Sequence, residues 1–237
     1  MGAAPSTPGP TRLADRFADA FGLVLLLVLA TYIASSLLDY EGWPAVLVVA
    51  IGCAAGFMAL VGARLRPSWL PVAAWVAIAA VAMAALSAIL DDSRAWLALA
   101  STLEVGLLSA AIVAVLRRII LASEVGVEPI LGAISVYALL GIMFAVIYSA
   151  IHRLANEPFF TAVAEPRASD FVFFSYTTLT TTGYGNLVPA GQPGEMLAGL
   201  EMLVGQIFLV TLIARLVALW QPGEKLRAAR AARSGDV

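Results

Sequence analysis

Charged and strongly polar residues are so widely spaced along this chain that the apolar stretches between them dictate its elements. Six such stretches stand out: Phe17–Leu38, Trp43–Ala63, Trp69–Leu90, Ala95–Leu116, Pro129–Ile151 and Met196–Trp220. Each approaches or exceeds the ~20 residues that carry an α-helix across a bilayer. The loops between the first four are short (Asp39–Gly42, Arg64–Ser68 and Asp91–Arg94), which predicts antiparallel neighbours in one bundle. A linker from Arg117 to Glu128 begins as a continuation of the fourth helix and leads into the fifth. The apolar core of the first span, Phe21 to Leu38, exceeds the ~7–15 residues of a signal-peptide core, and no persuasive cleavage site follows it. The pattern is that of an all-α, multi-pass membrane protein.

The segment between the fifth and sixth spans follows another rule. Residues 152–168 form a loop with two prolines, after which Ser169 or Asp170 can cap a short helix over 169–180. That helix is too short to cross a membrane. Gly183, Gly185 and Pro189 stop it, and the chain must return to the same side before Met196. Non-helical backbone at membrane depth survives only where it is buried in protein or lines a water-filled path. The re-entrant loop therefore predicts a pore.

Composition agrees: the chain is 61% hydrophobic and 13% charged, about half the ~25% charge of a soluble domain. The net charge of −2 excludes little, but its distribution orients the chain. With the amino terminus in the cytoplasm, eleven Lys and Arg fall inside and only Arg94, Arg153 and Arg167 outside. This is the positive-inside bias and places both termini in the cytoplasm. Residues 1–15, rich in Pro, Gly, Ser and Thr, are expected to be disordered. Residues 221–237 form a short basic tail whose Lys225, Arg227, Arg230 and Arg233 suit anionic lipid, with Trp220 as interfacial anchor. Seventeen residues after Trp220 leave no room for a soluble regulatory domain. Gly52 and Gly56 form a small-xxx-small pair that predicts close helix approach. Cys53 is the only cysteine, so no disulfide forms within the chain.

A dehydrated cation needs oxygen ligands in place of its water shell. Glycines at 183 and 185 adopt left-handed dihedrals at no Cβ cost, which lets successive carbonyls face one axis. The carbonyls of Thr181, Thr182, Gly183 and Tyr184 would stack as rings, with the Thr181 hydroxyl adding an inner one. Tyr184 would point away as a strut. The short helix would direct its negative carboxyl end below the filter, favouring a cation there. The run from Phe173 to Asn186, with Thr180-Thr181-Thr182-Gly183-Tyr184-Gly185-Asn186 at its end, resembles the pore loop of the tetrameric potassium channels. That family's T-V-G-Y-G filter is matched by Thr181 to Gly185.

The resemblance implies a homotetramer, since this chain holds one filter segment and the ring needs four. It implies a pore domain over 129–220, with outer helix 129–151, pore helix 169–180, filter 181–185 and inner helix 195–220. It implies K⁺ bound at Thr181, Thr182, Gly183 and Tyr184, and a gating hinge at Gly205. Four positions depart from the family. Thr182 replaces valine, Asn186 replaces aspartate, and Thr177 stands where some relatives carry a glutamate partner for that aspartate, while Phe174 replaces a donor tryptophan. The expectation is a missing brace behind the filter.

Residues 16–121 resemble the family's four-helix voltage-sensor domain in helix count and placement alone, followed by a cytoplasmic linker at 122–128. Between Ala95 and Leu116 there is no Lys or Arg, so the gating charges of a voltage sensor are absent. Glu104 is the odd residue there, and the plainer reading is a protonated or hydrogen-bonded carboxyl facing Ser or Thr on a neighbour. Glu201 is expected behind the pore helix, bonded to its hydroxyls, and His152 at the membrane edge. Four acidic residues, Glu157, Glu165, Asp170 and Glu195, against Arg153 and Arg167 predict a cation-attracting outer mouth. No cluster of His, Cys and carboxylates suggests a metal centre, catalysis, a bound cofactor or nucleic-acid binding. The function expected is passive K⁺ permeation across the cell's inner (plasma) membrane without strong voltage gating. A weakly selective monovalent cation channel is the alternative, and an integral membrane enzyme or scaffold is the rival from another class.

Overall fold

A computed structural model describes residues 11–38, 42–90, 93–121, 127–155 and 158–219. Seven helices follow one another: α1 (Thr11–Leu37), α2 (Trp43–Gly62), α3 (Leu70–Ile89), α4 (Ser93–Leu121), α5 (Val127–Leu154), α6 (Ala168–Leu179) and α7 (Gln192–Leu219). Six of them, all but α6, are long and apolar enough to span a bilayer. The protein is an all-α membrane protein with six candidate spans.

The boundaries differ from the sequence expectation at several ends, and α5 takes in 127–128 of the expected linker and 152–154 of the expected loop. α1 begins at Thr11, so residues 11–15 are helical rather than disordered. Arg12, Leu13 and Ala14 are good helix formers, and a helix already nucleated gains one bond for each residue added. α7 starts at Gln192 with Pro193 in its first turn, where a missing N–H costs nothing. The short helix starts at Ala168, and neither Ser169 nor Asp170 is its N-cap; Arg167 is. Asp170 contributes from the third helical position, accepting the Arg167 backbone N–H at 2.8 Å. The linker at 122–126 and the tail with Lys225, Arg227, Arg230 and Arg233 lie outside the described residues.

Helices α1–α4 form one bundle, and α4 and α1 pack it against α5 of the same chain. The Gly52/Gly56 pair works as predicted. A Cβ on Gly52 would sit 2.1 Å from Glu104 Oε1, and one on Gly56 would sit 3.2 Å from Leu108. α3 buries only small residues, Ala73, Ala80, Ala84 and Ser87, and exposes Val72, Trp75 and Ile78 as a lipid-facing surface requires. Phe21 is fully buried where α1, α2 and α5 meet, close to the bare backbones of Gly62 and Gly132.

Polar pins hold the two modules together at both ends. At one end the Arg153 guanidinium of α5 donates to Ser101 Oγ of α4 at 2.8 Å. At the other, Arg215 of α7 donates to the Ile120 carbonyl closing α4 at 3.3 Å, while within the bundle Arg118 donates to the Gly62 carbonyl closing α2. Carbonyls in a helix's last turn lack intrahelical donors, so cations there satisfy both charge and hydrogen bonding.

Candidate functional site

α6 is held from three sides. Phe171 and Phe174 enter a buried cluster with Tyr148 of α5 and with Phe159 and Phe160 of the outer loop, their ring centroids 5.1–6.3 Å apart. The same loop pairs with the chain beyond the filter: Ala190 N–H donates to the Phe159 carbonyl at 2.8 Å and Thr161 N–H to that of Val188 at 3.0 Å. On the α5 side, Tyr176 lies over Gly141, where a Cβ would come within 2.4 Å of its ring. The Tyr176 hydroxyl donates to the Ala138 carbonyl at 2.8 Å.

At the end of α6 the stretch expected to form the filter folds back onto the helix's own carbonyls. The Thr182 and Gly183 N–H groups both donate to the Thr177 carbonyl, at 2.8 and 3.1 Å, and Thr181 N–H donates to that of Thr178 at 2.9 Å. Two carbonyls at the negative end of the helix, taking three N–H groups between them, thereby anchor the residues expected to bind the ion. The Leu179 carbonyl accepts the Tyr137 hydroxyl at 3.1 Å.

The backbone then alternates. Thr181, Gly183 and Gly185 have φ of +56°, +53° and +77°, while Thr182 and Tyr184 between them are not in that region. An extended run of one φ sign turns carbonyls to alternate sides. Alternation of left- and right-handed residues turns them toward one side, the counterpart of an N–H nest. Thr181 pays for this, since a side chain at positive φ costs ~1–2 kcal/mol. Strain of this kind is kept where surrounding structure over-determines it. The sequence pointed to the two glycines as left-handed and named Thr181 as a ligand without foreseeing that it shares their handedness.

Thr180 through Asn186 are all exposed. Tyr184 stacks on Phe173, centroids 5.7 Å apart and planes inclined 13°, yet stays 70% exposed within one chain. Thr177 Oγ1 donates to Phe174 O of its own helix at 3.0 Å, and Thr180 and Thr182 share a hydroxyl contact of 2.8 Å.

A different polar group occupies the space behind α6. Glu201 of α7 is completely buried; its Oε2 accepts the Tyr148 hydroxyl at 2.6 Å and its Oε1 lies 2.5 Å from Ser175 Oγ. The position expected from sequence holds, but Tyr148 as a partner was missed, because nothing in an apolar helix marks which hydroxyl meets a carboxyl 53 residues away. One turn further along both helices, a Cβ on Gly205 would sit 2.4 Å from the Leu179 carbonyl oxygen, so α7 crosses the end of α6 at bare backbone.

Glu104 is buried beside a cavity of about 20 Å³, room for one water, that Thr31, Ser35 and Ser149 also line. These are the hydroxyl neighbours expected of it. His152 lies in the last turn of α5, its ring 5.7 Å from that of Phe171. At the outer mouth, Asp170 is engaged at the start of α6, Glu195 accepts from Gln192 at 3.1 Å, and Glu157 falls outside the described residues. Among the described residues no three His, Cys, Asp or Glu side chains group as a metal site.

Comparison with curated proteins finds no match. Residues 136–221 match the family model described as Ion channel, a stretch that takes in most of α5, all of α6, the filter and α7. The match lies in the second half of this six-span membrane protein, over the candidate site and the two spans that flank it.

Proposed function

We propose that the protein is a potassium channel subunit, four copies of which surround one conduction path lined by Thr181, Thr182, Gly183, Tyr184 and Gly185. The observation that carries this is the alternation of φ sign through Thr181, Gly183 and Gly185 at the end of a short buried helix. It supplies the backbone condition for a column of carbonyls, and those replace the water shell of a permeating K⁺. K⁺ passes down its gradient, and no cofactor is needed. The apolar residues that α7 leaves exposed, Leu203, Ile207, Val210 and Ile213 among them, support a covering by neighbouring subunits or a cavity wall.

In this reading the ends bearing Arg118 and Arg215 face the cytoplasm of a cell's inner (plasma) membrane, as the positive-inside bias favours. The basic tail would lie on anionic lipid of the same leaflet. The four-helix module acts as a scaffold with little voltage sensitivity, since α4 carries a buried Glu104 at its core and uses Arg118 to close α2. Gly205 serves as the bend point of the inner helix.

A specific observation favours a second reading, a weakly selective monovalent cation channel. Thr177 donates its hydroxyl within its own helix, and among the described residues Tyr184 has Phe173 as its single ring neighbour. Recording from purified protein in planar bilayers, with K⁺, Na⁺ and voltage varied in turn, separates the two. A bi-ionic reversal potential strongly favouring K⁺, with Ba²⁺ block and a shallow conductance–voltage curve, is expected. Equal K⁺ and Na⁺ permeability selects the second reading, and a steep curve removes the scaffold role.

A further inference from the structure

The buried carboxyl of Glu201 sits in a hydrogen-bond arrangement whose protons can be counted. Ser175 Oγ lies 2.7 Å from the Gly141 carbonyl oxygen and 2.5 Å from Glu201 Oε1. A serine hydroxyl has one proton, a carbonyl oxygen only accepts, and an ionised carboxylate only accepts. If Glu201 were ionised, one of these two short contacts would set oxygen lone pairs against each other with no hydrogen between. The Tyr148 hydroxyl supplies the proton at Oε2 and has none left for Oε1.

We propose that Glu201 is held as a neutral carboxylic acid, whose O–H donates to Ser175 Oγ while Ser175 donates to Gly141 O, forming a proton-bearing clamp that fixes α6 between α5 and α7. Every short contact then has one proton. Tyr148 donates to Oε2, the acid donates to Ser175, and Ser175 donates to the helix backbone at Gly141. Other facing hydroxyls are already spent: Tyr137 donates to Leu179 O and Tyr176 to Ala138 O. The groups acting on Glu201 from α5 and α6 are tyrosines and a serine, with no basic side chain among them. A charge there would stand in low dielectric without a counter-ion, which costs far more than a neutral acid that is fully hydrogen-bonded. Glu201 is wholly buried within one chain, so a neighbouring subunit cannot supply the missing cation.

The clamp also sets register. Glu201 meets Ser175 and, one turn on, Gly205 meets Leu179, so α7 grips the helix that ends in the filter at two successive turns. Glu201 is thus a positioning residue for the filter, acting through Ser175 and α6.

The test is infrared spectroscopy of the full-length protein in lipid at neutral pH, comparing wild type with Glu201→Gln. The expected result is a carboxylic-acid C=O band in the wild type that the substitution removes. Ser175→Ala should shift the same band upward as the acid loses its acceptor, and this identifies it even if Glu201→Gln does not assemble. No such band in the wild type, or one that neither substitution alters, overturns the assignment. This arm is independent of what the pore conducts. For positioning, the Gln amide can donate to Ser175 and accept from Tyr148, so assembled Glu201→Gln should lose less than about ten-fold in current, the scale of one neutral hydrogen bond. A larger loss in assembled channels means the carboxyl acts by its charge and ends the proposal.

Discussion

At Gly183 the backbone demand of the proposed filter is concentrated in a single atom that is not there. With φ at +53°, an added Cβ meets no neighbour within 4 Å in its own chain, so the cost of alanine is conformational and not steric. That cost is ~1–2 kcal/mol for each subunit. Gly183→Ala should therefore abolish K⁺ conduction while assembly and helix content persist, read as current against particle mass. Normal currents would remove Gly183 from the conduction path. Thr181 shows the same demand met by a residue that carries a side chain, which ordinary propensity does not anticipate. The anchoring of its N–H on Thr178 O, and of the next two N–H groups on Thr177 O, is what holds it there.

Among the elements, the crossing of α6 and α7 separates packing from flexibility. Gly205→Ala would place a methyl 2.4 Å from Leu179 O, so the helices must part, at a cost of about 1–3 kcal/mol for overpacking. The expected outcome is a lower Tm, whereas Gly106→Ala, exposed on α4 with nothing within 4 Å, should hold or raise it. The bend point proposed at Gly205 predicts in addition a lower open probability in those channels that assemble. An unchanged open probability beside a lowered Tm leaves this glycine a packing role alone. α4 illustrates how an element can share a placement with a voltage sensor and lack its chemistry. Its buried face carries Leu107, Leu108, Ala111 and Val115, and Arg118 is spent on the end of α2.

On the scale of the whole molecule, one chain leaves the proposed conduction path and its flanking helix uncovered. α7 is the least buried of the six candidate spans, at 17%, against 61% for α5, although both lie largely within the stretch that matches the ion-channel model. A span that faces lipid has no reason to end beside an exposed run of Thr, Gly and Tyr. Four copies would cover both. Detergent-purified protein should therefore run as a particle of four 24.8-kDa chains by light scattering corrected for detergent, and a monomer or dimer that still conducts would refute the ring. The four-helix module docks on the α5 of its own chain through Arg153–Ser101 and the Phe21 wedge, so a tetramer built from this subunit has no need to exchange modules between neighbours.

The helices, their number and the re-entrant loop were legible along the chain because the bilayer imposes a length on every apolar run and forbids unpaired backbone. Glycine spacing exposed Gly183 and Gly185 for a related reason: conformational freedom is written in the residue type. The glycine pair at Gly52 and Gly56 was legible on the same ground. What remained hidden are the facts that depend on which faces meet. Apolar helices carry little periodic contrast, so no pattern told that Tyr148 would reach Glu201, that Tyr176 would need Gly141, or that Phe159 and Phe160 would join the core under the outer mouth. Neither could composition assign one proton among Glu201, Ser175 and Gly141, because that follows from three distances set by packing of helices far apart in sequence.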